Sequence, residues 1–332
     1  MRDRSRLGRP FWTFWSAAAL ANLGDGIRVA AFPLLAAALT DDPLAVGAVA
    51  AAQFLPWLVS GLLAGALADR RGARTLLAAA DTGRVVVLAA LATTVALGWA
   101  TIAHVVAAAF LLGVGETIRD TADAPPAADG DGVLAGLRWL LRQPMMRTLV
   151  LVTAAVAAAD TAWFAIFVLY ARDALDLGAL GFGLLLATGA AGGLVGSFAA
   201  DRILAGFHHR SVLTWSMAVT AGVPVLLAVV GHRAVAVVVV VTTSAAFAVL
   251  NVAALSVRQR LVPGGLLGRV IAASRLVTYS CTALGALAGG ALAARAGIEA
   301  PFLFSGVVAV AATVAWWLAS RPTTPGAGLG LR

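Results

Sequence analysis

Two aspartates, Asp25 and Asp160, stand inside apolar runs where a carboxylate is costly to keep, and each shares a helical face with a polar side chain. Arg28 follows Asp25 by three residues and Asn22 precedes it by three, while Trp163 follows Asp160 at the same spacing. Ionisable groups inside membrane-length segments face a cavity or a partner, not lipid. A carboxylate placed there can take up and release a proton, governed by its burial and by a neighbouring cation such as Arg28. Equally, Asp25 and Arg28 can form a structural ion pair at i,i+3, and Asp160 a polar contact that seals one part of the protein to another. Both roles stay open for each aspartate.

Glu116 and Arg119 are spaced as a further i,i+3 pair, suited to anchoring a helix end. Asp81 with Arg84, and Arg275, are expected in ion pairs near helix ends. Gln53 and Asn251 either line a cavity or bond helices together. Other chemistries find little support. The one cysteine, Cys281, permits neither a disulfide frame nor a cysteine metal site, and His104 has no second histidine at metal-ligand spacing. All 24 basic residues are Arg, so no phosphate-binding loop with a Lys exists and ATP drive is not expected. No Ser-x-Gly elbow with a His partner appears. The chain is expected to be no enzyme, to hold no cofactor or metal, and to bind no nucleic acid despite a net charge of +8.

The elements that must position these residues follow from composition. Hydrophobic residues make up 61% of the chain and charged residues 12%, with mean hydropathy +0.93; a soluble domain carries about 25% charge. Apolar stretches long enough to cross a hydrocarbon core of about 30 Å must be helical, because lipid offers backbone groups no hydrogen bonds. The expected fold is an all-α polytopic membrane protein. About ten spans are predicted, at 11–38, 44–68, 75–97, 101–119, 148–171, 180–200, 212–231, 234–256, 268–293 and 301–319. The apolar run after MRDRSRLGRP is too long for a cleaved signal and counts as the first span.

With ten spans, eighteen Arg fall on the face of the termini and three, Arg172, Arg233 and Arg295, on the other. The positive-inside rule makes the first face cytoplasmic, giving a multi-pass protein of the inner (plasma) membrane with both termini inside. Trp12, Trp15, Trp99, Trp316 and Trp317 stand at interfacial positions. The polar stretch TADAPPAADGDG is expected to be a flexible linker, and the following VLAGLRWLLRQPMMR a short amphipathic helix on the inner membrane surface. The expected organisation is a four-span half at 1–120, a linker with its helix at 121–147, a six-span half at 148–320 and a tail at 321–332.

One polar turn between spans carries a motif, GALADRRGAR at Gly65–Arg74, with a worn copy, SFAADR, at Ser197–Arg202. Small residues precede both at equal spacing: Gly61 and Gly65, then Gly193 and Ser197. Asp69 can cap the helix that follows it, and Arg70, Arg71 and Arg74 can hold the loop at an anionic leaflet.

Gly65, Leu67, Asp69, Arg70, Gly72 and Arg74 closely resemble the signature loop of the major facilitator superfamily. NLGDGI at Asn22–Ile27, GLRWLLRQPMMR at Gly136–Arg147 and RQRLVPGGLLGRV at Arg258–Val270 resemble one branch of it, the enterobactin-exporter-like transporters or transmembrane secretion effectors. The resemblance implies a two-half helical bundle and alternating access. It also implies a conformational latch at Gly65, Asp69, Arg70, Gly72 and Arg74, echoed by Asp201 and Arg202. Asp25 and Asp160 would face each other across a cavity between the halves, with Asn22, Arg28, Gln53, Glu116, Trp163, Asn251 and Arg275 along the pathway. The expected activity is proton-coupled export of a small organic molecule, with protons, that substrate and the lipid bilayer as partners.

Two departures stand out. The stretch AAAFLLG lacks the Arg that many proton-driven drug exporters place in the fourth span. The two motif aspartates are only 132 residues apart, four spans where the family has six. The Gly285, Gly289 and Gly290 face of the ninth span, suited to close packing, then has no first-half counterpart, so the fifth and sixth helices are read as missing. That allows an inactive or structural remnant, or a homodimer that completes the short half.

Overall fold

A computed structural model of the chain describes residues 8–58, 73–122 and 132–320. Helix follows helix, and no β-strand occurs among the described residues. The first half contributes α1 (Arg9–Leu39), α2 (Pro43–Phe54), α3 (Ala73–Ala96) and α4 (Ile102–Ala122). Then come α5 (Gly132–Arg142) and the second half: α6 (Pro144–Asp173), α7 (Ala179–Gly206), α8 (His209–Gly222), α9 (Val225–Val229), α10 (Arg233–Leu261), α11 (Leu267–Ala296) and α12 (Ala300–Ala319).

Eight helical segments are long and apolar enough to span a membrane, and Gly26–Leu39 and Pro43–Leu58 are shorter apolar segments. Each expected span coincides at least in part with a helix among the described residues. Part of the second span falls on 59–72, outside the described residues.

Local chemistry sets the ends. Proline opens α1, α2, α6 and α12, where its missing N–H costs nothing, and the Asp42 carboxylate accepts from the Leu44 N–H at 2.9 Å to cap α2. The span expected unbroken at 212–231 is interrupted after Gly222, because Pro224 has no N–H to continue the ladder. Neighbouring helices take up carbonyls around the break: Ser305 donates to Ala221 O at 2.7 Å and Tyr170 to Leu227 O at 2.6 Å. Two helices overrun their expected ends, α7 to Gly206 and α10 to Leu261.

Between helices in lipid the hydrophobic effect is absent, so contact depends on how closely backbones approach. α11 is the hub. A Cβ at Gly285 or Gly289 would strike the carbonyl of Ala158 or Ala162 on α6, and one at Gly290 would lie 2.7 Å from Pro43 O on α2. From the other side, a Cβ on Gly47 would lie 2.7 Å from Ala286 O. The glycine face therefore serves both halves at once. A second glycine face, Gly189, Gly192 and Gly196 on α7, lies against Val240, Val241 and Ala245 of α10. The amphipathic α5 seats on the start of α11, with Gly136 against the Arg269 carbonyl and Leu140 buried.

The buried apolar residues form two large clusters. One draws on both halves: Phe32 and Ala36 of α1, Val46 and Val49 of α2 and Leu112 of α4 pack with Trp163, Phe167 and Tyr170 of α6 and Phe302 of α12. It occupies the end where α1 meets α2 and α6 meets α7. The other, toward the end of the termini, is built from α5 and the second half alone, around Leu149, Leu213, Met217 and Trp316. The halves also meet further along α2 and α11, where Phe54 and Trp57 lie against Tyr279 with ring centroids 5.9 and 4.5 Å away.

Candidate functional site

A cavity of about 380 Å³ lies among three helices of the second half. α6 contributes Asp160, Trp163 and Phe164, α7 contributes Gly193 and Ser197, and α10 contributes Val240, Thr243, Ser244, Phe247 and Ala248. Its origin is steric. α7 and α10 touch through the Gly189–Gly196 face, and beside that contact Gly193 and Ser197 are too small to fill the gap to α6. The repeated small residues ahead of the second Asp-Arg pair therefore line a cavity.

Two of its hydroxyls are committed. Ser197 Oγ donates to Gly193 O at 2.9 Å and Thr243 Oγ1 to Val239 O at 2.8 Å, so each turns lone pairs, not its proton, toward the cavity. Trp163, only 2% exposed, is wedged edge-on against Phe164 and Phe167, with ring centroids 5.6 and 5.3 Å away. Its indole N–H makes no hydrogen bond of good geometry among the described residues, although the half-buried Asp160 carboxylate stands near enough to interact with it. Asp160 and Trp163 are thus brought together as their spacing predicts.

In the first half, the expected Glu116–Arg119 pair is replaced by contacts between helices. Arg28 donates to Glu116 Oε2 at 2.8 Å, bridging α1 and α4, and Arg119 lies 3.9 Å from Asp81 on α3. The i,i+3 spacing permits an in-helix pair, but packing turns Glu116 and Arg119 toward different neighbours. Asp81 is thereby assigned to Arg119 and not, as expected, to Arg84, whose stem lies over Gly115.

Arg28 is a partly buried cation on α1. The side chains of Asn22 and Asp25 fall outside the described residues, and so do Gly65, Asp69, Arg70 and Gly72 and the side chain of Arg74. The expected juxtaposition of Asp25 with Asp160 therefore also lies outside them, and the described walls of the Asp160 cavity come from the second half alone.

Asp201 and Arg202 are exposed within the last turns of α7, and the chain reverses only at Phe207–His208, so the second Asp-Arg pair belongs to a helix and not to the turn. The overrun of α7 is the reason. Gln53 is half-buried on α2. Asn251 is exposed and donates to Phe247 O of its own helix at 3.0 Å; it continues the stripe of Ser244, Phe247 and Ala248 one turn beyond the cavity. Arg275 is exposed on α11.

One constellation is absent from the sequence-level reading. Arg172, at the end of α6, donates to Asp41 at 2.8 Å and to Ala37 O of α1 at 3.1 Å, and Asp173 steadies its guanidinium from the other side at 2.7 Å. It clasps the halves where they meet. The available signal was opposite charge in facing loops of an otherwise charge-poor end. Among the described residues no group of three or more His, Cys, Asp or Glu could hold a metal ion.

Residues 149–331, more than half the chain, match the family model of the Major Facilitator Superfamily. The chain belongs to that superfamily. It is a family of membrane transporters and not of enzymes. Residues 8–128 match the transmembrane secretion effectors, and residues 129–148 lie between the two matches. Uncharacterized MFS-type transporters of Mycobacterium tuberculosis and Mycobacterium bovis are each 36% identical over 94 residues, 26% of this chain. The matched stretch spans only 21% of the length of those relatives.

Among solved structures, the nucleoside transporter NupG matches with TM-score 0.66 at 11% identity, covering 88% of this chain and 93% of that one. A bacterial homologue of the iron transporter ferroportin, in an inward-facing state, matches with TM-score 0.57 at 16% identity over 89% and 99%. At these identities the likeness is one of fold.

Proposed function

We propose that this member of the superfamily is a secondary-active exporter of a small organic molecule, working by alternating access and driven by a proton gradient. The observation that carries the proposal is the Asp160 carboxylate in a cavity of about 380 Å³ between helices of one half. A carboxylate inside a span is retained where it binds or moves charge, and such transporters bind near the bilayer midplane; Asp160 lies near the middle of α6. The Arg distribution supports placing both termini in the cytoplasm of a cell whose inner membrane holds the protein. With that orientation, the clasp of Arg172 and Asp41 closes the outer end, and opening at the inner end admits substrate.

Flux tests the proposal. Everted vesicles carrying the full chain should accumulate substrate in their lumen only while a proton gradient is maintained. Asp160→Asn and Asp25→Asn should each lower that flux at least about tenfold. Flux that persists without the gradient removes the coupling.

A second proposal follows from the four spans before the linker against six after it: a remnant with a structural role or none. Folded, reconstituted protein that carries no gradient-driven flux of any compound tried supports it.

A further inference from the structure

We propose that the Asp160 cavity binds a monovalent organic cation with an aromatic body. The inference rests on the transporter proposal for the same cavity. Among the described lining residues, Asp160 is the one with an ionisable side chain. A cation entering the cavity would pair with it in a low-dielectric surround, where such a pair is stronger than in water. An anion would meet like charge instead, which complementarity disfavours.

The remaining walls agree with that charge. Trp163, Phe164 and Phe247 present aromatic surface to the cavity, and ring faces attract cations, indole most of all. Ser197 and Thr243 spend their protons on their own helices and offer only lone pairs, so they suit a positively charged ligand. The buried Trp163 indole stands beside the Asp160 carboxylate on the same wall. The volume of about 380 Å³ lies within the usual range for compact small-molecule sites, roughly 300–1,000 Å³.

Tetraphenylphosphonium and tetraphenylborate share shape and apolar surface and carry opposite charge, so together they read the preference of the site. Equilibrium dialysis of the purified full chain in detergent should show saturable binding of tetraphenylphosphonium at one site per chain. Asp160→Asn should weaken that binding at least about tenfold, and Asp160→Glu should keep it within about threefold. Tetraphenylborate should bind the parent chain no better than it binds Asp160→Asn. Thermal unfolding of Asp160→Asn, with the Asp160→Glu arm, separates lost binding from a lost fold.

Equal binding of both ions, no saturable binding of tetraphenylphosphonium, or undiminished binding by a folded Asp160→Asn chain overturns the inference. No gradient is present in this measurement. Cation binding without gradient-driven flux therefore defeats the transporter proposal alone, and driven flux confined to anions or neutral compounds defeats this inference alone.

Discussion

The Arg172 guanidinium lies 2.8 Å from the Asp41 carboxylate, and the two residues belong to different halves of the protein. Asp41 sits in the loop between α1 and α2, Arg172 at the end of α6. The contact spans the seam that must open if the halves rock. Its side chains are 40% and 86% exposed, and pairs this exposed contribute no more than about 1 kcal/mol. A contact of that size can bias two states without locking either.

Removing the clasp should shift the balance toward opening at that end. Arg172→Ala, read by spin labels at Ala38→Cys and Ala179→Cys in a Cys281→Ser background, should raise the long-distance population by up to about fivefold. The same shift should appear in the parent chain as ionic strength rises, because exposed pairs are screened. An unchanged distance distribution in both arms sinks the gating role.

The glycine face of α11 sets a second expectation. Gly289→Ala places a methyl group against the Ala162 carbonyl, and both helix backbones must separate. The expected cost is about 1–3 kcal/mol, seen as a fall in the unfolding temperature of detergent-solubilised protein. Gly183→Ala on α7 is the control: a Cβ there meets nothing within 4 Å, so it should be neutral or slightly stabilising. Equal behaviour of the two variants removes the close-packing account.

Arg28 and Glu116 provide a third. In a double-mutant cycle of Arg28→Gln and Glu116→Gln, unfolding free energies should show a coupling of about 0.5–3 kcal/mol. The cycle of Glu116→Gln with Arg119→Gln should show a coupling near zero, since Arg119 faces Asp81. The opposite ranking would restore the in-helix pair that the spacing alone suggests.

That pair marks how far the sequence carries. Span positions were legible because a bilayer permits only long apolar helices, and the tight role of Gly285 and Gly289 was legible because few other residues let two backbones touch. Asp160 with Trp163 was legible because three residues is one turn. What Glu116 touches was not, since periodicity fixes which face a side chain shares on its own helix and says nothing about which helix comes to meet it. The cavity beside Gly193 and Ser197 was hidden for a related reason: a small residue reads alike whether a neighbour closes on it or leaves a space. Helix ends were the least legible. α7 continues past Asp201 and Arg202 with no helix breaker in FAADRILAG before the glycine, so charge alone did not locate the turn.

The uneven distribution of the two cores bears on how the chain is made. Phe32, Ala36, Val46, Val49 and Leu112 complete their packing against α6 and α12, segments that leave the ribosome after all of the first half. Until they arrive, these residues of the leading helices lack their partners in the shared cluster, while the second half brings a core of its own. The earliest helices to be made are thus among the last to complete this shared core. The window before α6 inserts is when membrane quality control has most access to this protein.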